Sequence, residues 1–216
     1  MKVVEIFNSI DGEGKRTGLP VTFIRLFGCN LHCSYCDTRY GCEGTDYKEM
    51  SVQEIIDECF KIGNPRITVT GGEPLIHDGI NDLLKALDDC GLYEINIETN
   101  GSVDITKFCY DNVFFTVDYK CPSSLMNDKM YLDNFVFVSK NDVVKFVVGS
   151  EEDLIKAIEI IDRYDLQYNT NVYLSPVFGK IEPARLVQFV LDNHLSEVRV
   201  QVQLHKIIWS PDKRGV

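Results

Sequence analysis

The chain has 216 residues, 44% hydrophobic and 25% charged, a balance that suits one globular domain over residues 1–216. Its formal net charge of −11 argues against a sequence-independent grip on nucleic acid, whose phosphates demand a basic face. No apolar run approaches the roughly 20 residues of a membrane span, and the opening MKVVEIFNSIDGEG is too polar for a signal peptide, so the chain is expected in the cytoplasm. Its eight cysteines then read as thiols or metal ligands, not as a disulfide framework.

Residues 21–26 form an apolar run that reads as a buried strand. It leads into FGCNLHCSYCDTRY, where Cys29, Cys33 and Cys36 stand in a CxxxCxxC pattern with Tyr35 before the last. Three thiolates in one loop can bind three irons of a 4Fe–4S cluster and leave the fourth iron open to a ligand, whereas four cysteines saturate it. A zinc site completed by Cys42 or His32 is the alternative, although zinc favours paired Cys-x-x-Cys or a His at set spacing.

Ser51 followed by Glu54 forms a capping box that opens a helix to about residue 62, with Val52, Ile55, Ile56 and Cys59 at helical spacing. A short β-branched strand over residues 66–70 runs into Thr70-Gly71-Gly72-Glu73-Pro74. Its glycines would let backbone approach a ligand, and Glu73 offers a carboxylate to an ammonium group. Ile80, Leu83, Leu84 and Leu87 give a second helix. Strands follow over residues 94–98, ending at Glu98, and 113–118, ending at Asp118-Tyr119-Lys120. Glu98 can accept from ribose hydroxyls or serve as a buried cap. Residues 143–148 form another strand, and Ser150 with Glu151, Glu152 and Asp153 opens a helix to about residue 164. A strand over residues 171–175 ends in Ser175-Pro176-Val177-Phe178, Pro183 begins a helix ending near residue 193, and residues 197–203 read as the last strand.

This alternation predicts an α/β fold with a mainly parallel sheet. Residues 101–112 and 121–141 lack a full helix, which favours an incomplete (β/α)-barrel with some trimmed helices over a flavodoxin-like open sheet. Function in such a fold gathers where strands end.

The cysteine loop with its aromatic, together with TGGEP, resembles the radical S-adenosylmethionine (SAM) superfamily. Four further features, SIDGEG over residues 9–14, Arg25 four residues before Cys29, Asp37-Thr38, and QLHKIIW over residues 203–209, resemble the 7-carboxy-7-deazaguanine synthase family. The resemblance implies an incomplete barrel of radical SAM type and a carbon–nitrogen lyase of the queuosine pathway. That enzyme converts 6-carboxy-5,6,7,8-tetrahydropterin to 7-carboxy-7-deazaguanine with loss of ammonia. It implies a cluster on Cys29, Cys33 and Cys36, and SAM held by Tyr35, Asp37, Gly72, Glu73, Glu98, Asp118, Tyr119, Lys120, Ser175, Pro176, Val177 and Phe178. Mg²⁺ would sit on Thr38, and the pterin among Ile10, Asp11, Gly12, Glu13, Arg25, Thr70 and His205. The cluster and SAM carry the chemistry, so no side chain is assigned as a catalyst. A reductant such as flavodoxin or ferredoxin and a homodimer are also implied. The chain departs from the family at Asp11, where Gln is more usual, and runs seven residues past Trp209. A glycyl-radical activase and a non-enzymatic zinc module are the other classes open at this point.

Overall fold

The fold begins with a strand that the sequence pattern hides. In the computed structural model, which describes every residue but Asp212, β1 (Lys2–Ile10) pairs antiparallel with β2 (Pro20–Leu26). Glu5, Asn8 and Ser9 break the apolar run of β1, and most of its side chains are only half-buried. The short β3 (Lys48–Glu49) pairs with its outer edge. Next to β2 come β4 (Arg66–Gly71), β5 (Glu94–Thr99), β6 (Val113–Tyr119), β7 (Val143–Val148), β8 (Asn171–Pro176) and β9 (Val198–Val200). All of these run parallel to β2.

From β2 onward the strand order never reverses. Right-handed crossovers taken always in one direction put every connecting helix on the same face, whereas a flavodoxin-like sheet needs a reversal to clothe both. A sheet covered on one face curls around the other, which gives the incomplete barrel. Its edges, β3 and β9, do not pair with one another among the described residues.

The covering helices are α1 (Val52–Ile62), α2 (Ile80–Asp89), α4 (Glu151–Arg163) and α6 (Pro183–Asp192), as expected. The two helix-poor connections hold a 3₁₀ turn at Ile105–Phe108, two more near residue 125, and the single turn α3 (Asn134–Phe137). A further turn, α5 (Leu166–Asn169), follows α4. The last strand is shorter than expected, and the QLHKIIW segment turns into α7 (Leu204–Ile208).

Period-two alternation sorts each strand. Ile24, Leu26, Ile67, Val69, Ile95, Ile97, Val117, Val144 and Phe146 face the helices and form the core, each buried side chain worth roughly 1.5–3 kcal/mol. Arg25, Thr70, Glu98, Asp118, Lys145 and Ser175 occupy the other face and line or border the barrel interior. Arg16 forms its floor. The guanidinium, 4% exposed, donates to Asp11 Oδ2 at 2.8 Å, to Glu94 O and Ile67 O at 3.1 Å, and to Thr68 Oγ1 at 2.6 Å.

Candidate active site

The ends of the parallel strands open into a cavity of about 830 Å³. The cysteine loop folds over one side of it, held by backbone. Gly28 N donates to Gly41 O at 2.7 Å, Glu73 N to Gly28 O at 2.8 Å, and Gly72 N to Leu26 O at 3.1 Å. Tyr35 OH donates to Val147 O at 3.4 Å. The paired glycines serve this contact. A Cβ on Gly71, which has φ 138°, would lie 2.0 Å from Leu26 O, and one on Gly72 would lie 2.0 Å from Gly28 O. They let two loops meet, not only a loop and a ligand.

Cys29, Cys33 and Cys36 are half-buried and line the cavity. Cys29 Sγ accepts from Leu31 N at 3.4 Å and Asn100 Nδ2 at 3.6 Å. Cys42 lies beside them and lowers Cys29 and Cys36, each to about 6, while burial raises Cys33. Among the described residues, no three His, Cys, Asp or Glu side chains converge tightly enough for one metal ion. Cys29, Cys33 and Cys36 instead line one cavity, a donor set able to bind three irons of a cluster. The donor set therefore fits the cluster. Cys59 is core within α1, and Cys121 is buried outside the cavity lining. Cys90 and Cys109 are exposed.

Around the expected SAM position, Gly72, Glu98, Asp118, Lys120, Val177 and Phe178 line the cavity. Thr70 Oγ1 donates to Glu98 Oε2 at 2.8 Å, and Lys120 pairs with Asp118 at 2.7 Å. Asp118 is lowered, since Lys120 and Lys145 outweigh the burial that would raise it. Four residues of the expected SAM set, Glu73, Tyr119, Ser175 and Pro176, lie outside the cavity lining. Glu73 is wholly buried and accepts from Leu75 N, Thr99 Oγ1 and Asn100 N at 3.0, 2.8 and 2.6 Å, so its carboxylate clamps strand ends. Burial pushes it up to about 7. The Tyr119 ring packs in the core against Phe135 and Phe146 at 5.6 and 5.4 Å. Ser175 and Pro176 are buried at the end of β8, and the Ser175 hydroxyl donates to Glu13 Oε1 at 2.5 Å.

Elsewhere along the cavity, the segment after β1 meets the segment after β9. Gly12 O accepts from Leu204 N at 3.0 Å, and a Cβ on Gly12 would lie 2.2 Å from His205 Nδ1. Ile10, Gly12, Glu13, Arg25, Thr70 and His205 line the cavity. Asp11 does not: its carboxylate turns into the floor to pair with Arg16, and burial pushes it up to about 6. Arg25 Nε donates to Glu5 Oε1 at 2.8 Å, an ion pair that leaves the rest of its fork at the cavity wall. Burial lowers His205, which is therefore neutral near neutral pH. Asp37 pairs with Lys206 at 2.6 Å, and Thr38 Oγ1 donates to Asp37 Oδ1 at 2.9 Å, so the cysteine loop and α7 are joined.

Sequence reasoning missed Lys145, Arg16 and the tail. Lys145 stands alone in VVKFVV, and a charge in an otherwise apolar central strand must be paired inside. That signal was available. Lys213, Arg214, Gly215 and Val216 also line the cavity, with Arg214 3.8 Å over the Tyr40 ring. No periodicity announces that contact.

The radical SAM superfamily pattern matches residues 23–190. The 7-carboxy-7-deazaguanine synthase of Clostridium acetobutylicum is 49% identical over 218 residues, covering 100% of this chain and 99% of that one. The synthase of Chlorobaculum tepidum is 37% identical over 222 residues, covering 100% and 97%. The crystal structure of QueE from Escherichia coli superposes with a TM-score of 0.71 over 94% of this chain and 93% of that one, at 22% identity, a likeness of fold. A three-cysteine loop at the mouth of an incomplete barrel, with this match, defines a radical SAM enzyme. The full-length identities go further: the chain belongs to the 7-carboxy-7-deazaguanine synthase family, among the lyases of 7-deazapurine biosynthesis.

Proposed function

We propose that this protein converts 6-carboxy-5,6,7,8-tetrahydropterin to 7-carboxy-7-deazaguanine with release of ammonia, in the cytoplasm, as one domain over residues 1–216. The observation that carries this reading is the single cavity shared by the three cysteines, the Gly72 strand end, the segment after β1 and the C-terminal segment. Cys29, Cys33 and Cys36 would hold the cluster, leaving one iron for the amino and carboxylate groups of SAM. When bound, the pair supplies a 5′-deoxyadenosyl radical able to take hydrogen from carbon.

The chain's own residues position the ligands. Gly72, Glu98, Asp118 and Lys120 offer backbone and charge to SAM, beside Tyr35 and Asp37 at the loop and Val177 and Phe178 at its apolar edge. Arg25, with its planar fork, suits the substrate carboxylate. Thr70, His205, Glu13 and the backbone of residues 10–12 suit the hydrogen-bonding edge of a pterin.

Mg²⁺ on the Thr38 hydroxyl belongs to this proposal. A hard ion prefers oxygen, and Thr38 with the adjacent Asp37 carboxylate supplies an oxygen-rich corner of the cavity. A low-potential donor such as flavodoxin or ferredoxin, and a homodimer, complete the reading. Among the described residues no helix is long and apolar enough to cross a membrane. A glycyl-radical activase would act on a protein partner and has no use for a small-molecule pocket closed by both chain ends. Anaerobic incubation with the pterin, SAM, Mg²⁺ and a reductant should yield the deazaguanine by mass spectrometry. Cluster-loaded enzyme that leaves the pterin unchanged would refute the proposal.

A further inference from the structure

Lys145 is a cation that the reading above does not use. Its side chain is 8% exposed, lies on the inner face of β7 and lines the cavity. Nζ lies 3.3 Å from Glu13 Oε2 and 3.3 Å from Asp118 Oδ1. Asp118 is already paired with Lys120, on the side of the cavity nearest the cysteines. Glu13 lies near His205, which packs against Gly12. One ammonium therefore bridges the two carboxylates.

The geometry around Glu13 shows what that cation does. A carboxylate has about four acceptor positions. Ser175 Oγ takes one on Oε1 at 2.5 Å, and Lys145 Nζ and Gln203 Nε2 take two on Oε2 at 3.3 and 3.4 Å. Three partners on three different segments fix the plane of the group and leave acceptor capacity facing the cavity. The complement of such a group is a planar edge with adjacent N–H donors, as in a 2-amino-4-oxopyrimidine ring.

We propose that Lys145 is a positioning residue that aims the Glu13 carboxylate at the N–H edge of the bound pterin while tying it, through Asp118, to the cofactor side of the cavity. This rests on the pterin reading of the site. Lys145 acts through Glu13, so the two residues contribute to ligand binding as one unit. Without the ammonium, Asp118 keeps Lys120, but Glu13 loses its charged partner and rotates toward Ser175 or Gln203.

A double-mutant cycle on the cluster-loaded enzyme tests this, with equilibrium binding of 6-carboxypterin, a non-reacting aromatic probe with the same edge and carboxylate. Glu13→Gln and Lys145→Met should each weaken binding by roughly tenfold, the loss of one charged hydrogen bond. The double variant should be no more than about threefold worse than the weaker single variant. Lys145→Arg, which keeps the charge, should restore most of the affinity. Iron content and thermal unfolding are followed in every variant. If Lys145→Met does not fold, Lys145→Gln takes its place in the cycle. Losses that multiply to about a hundredfold in the double variant, or wild-type binding by the neutral variant, would overturn the role of Lys145. Wild-type enzyme that binds no 6-carboxypterin and turns over no carboxytetrahydropterin would overturn the pterin reading itself.

Discussion

At the scale of single residues, the cysteines divide by environment. Cys29, Cys33 and Cys36 face the cavity, whereas Cys59 is packed in α1 and Cys90 ends α2 at the surface. Replacing any of the first three with Ala should abolish the brown, oxygen-sensitive chromophore of the reconstituted protein. Cys59→Ala and Cys90→Ala should keep it. A full cluster in the triple variant would refute this division. Glu73 supports a second expectation. Its carboxyl is pushed from 4.5 to about 7 by burial, so the folded state holds a proton that the unfolded chain releases earlier. The associated stability is complete below about pH 4.5 and is lost as pH rises to about 7, on the order of 3 kcal/mol. Urea unfolding of the cluster-free protein should show this decline, and Glu73→Gln, neutral throughout, should flatten it. An equal slope in both would remove Glu73 from the account. The spacing of Cys29, Cys33 and Cys36 was legible in the chain because a loop motif is local. The roles of Glu73 and Asp11 were not, since each depends on partners brought by other strands: Asn100 and Thr99 for one, Arg16 for the other.

At the scale of elements, the helices were legible because their signals are local too. Ser51 and Glu54 cap each other as expected, with Ser51 N donating to Glu54 Oε2 at 2.7 Å and Glu54 N to Ser51 Oγ at 3.3 Å. This box is exposed, and Ser51→Ala should cost about 1 kcal/mol. Asp153 is different. It is fully buried at the start of α4 and accepts from Gly149 N and Ser150 N at 2.7 and 3.2 Å, and from Ser123 N and Oγ at 2.8 and 2.5 Å. It thus fastens α4 to the irregular segment after β6 that carries Ser124, whose carbonyl accepts from Ser34 N in the cysteine loop. Asp153→Ala leaves several partly buried donors unmet and should cost about 3 kcal/mol. Denaturant midpoints of the two variants check this, and equal losses would contradict it. The element missed outright, β1, is an edge-side strand with a polar, half-exposed sequence, and its partner β2 decides its conformation.

At the scale of the whole molecule, an open barrel needs something to close its gap, and the two ends of the chain do so. Gly14 N donates to Gln201 Oε1 at 2.6 Å, and Leu204 N bonds Gly12 O. The β-branched and apolar runs implied a mainly parallel sheet, but the uninterrupted strand order that separates barrel from flavodoxin-like sheet is a tertiary property. Gly12 tests the closure. An added methyl would press into His205, so Gly12→Ala should lower pterin turnover roughly tenfold or more while leaving cluster content and SAM binding intact. Unchanged turnover would place the pocket elsewhere.

In the proposed function, one cavity brings a cluster-bound SAM and a pterin together so that hydrogen is borrowed and returned. With the pterin in large excess and SAM limiting, products should be counted against SAM and against 5′-deoxyadenosine. The account predicts many molecules of 7-carboxy-7-deazaguanine for each SAM supplied, with little 5′-deoxyadenosine. One 5′-deoxyadenosine per product would contradict it.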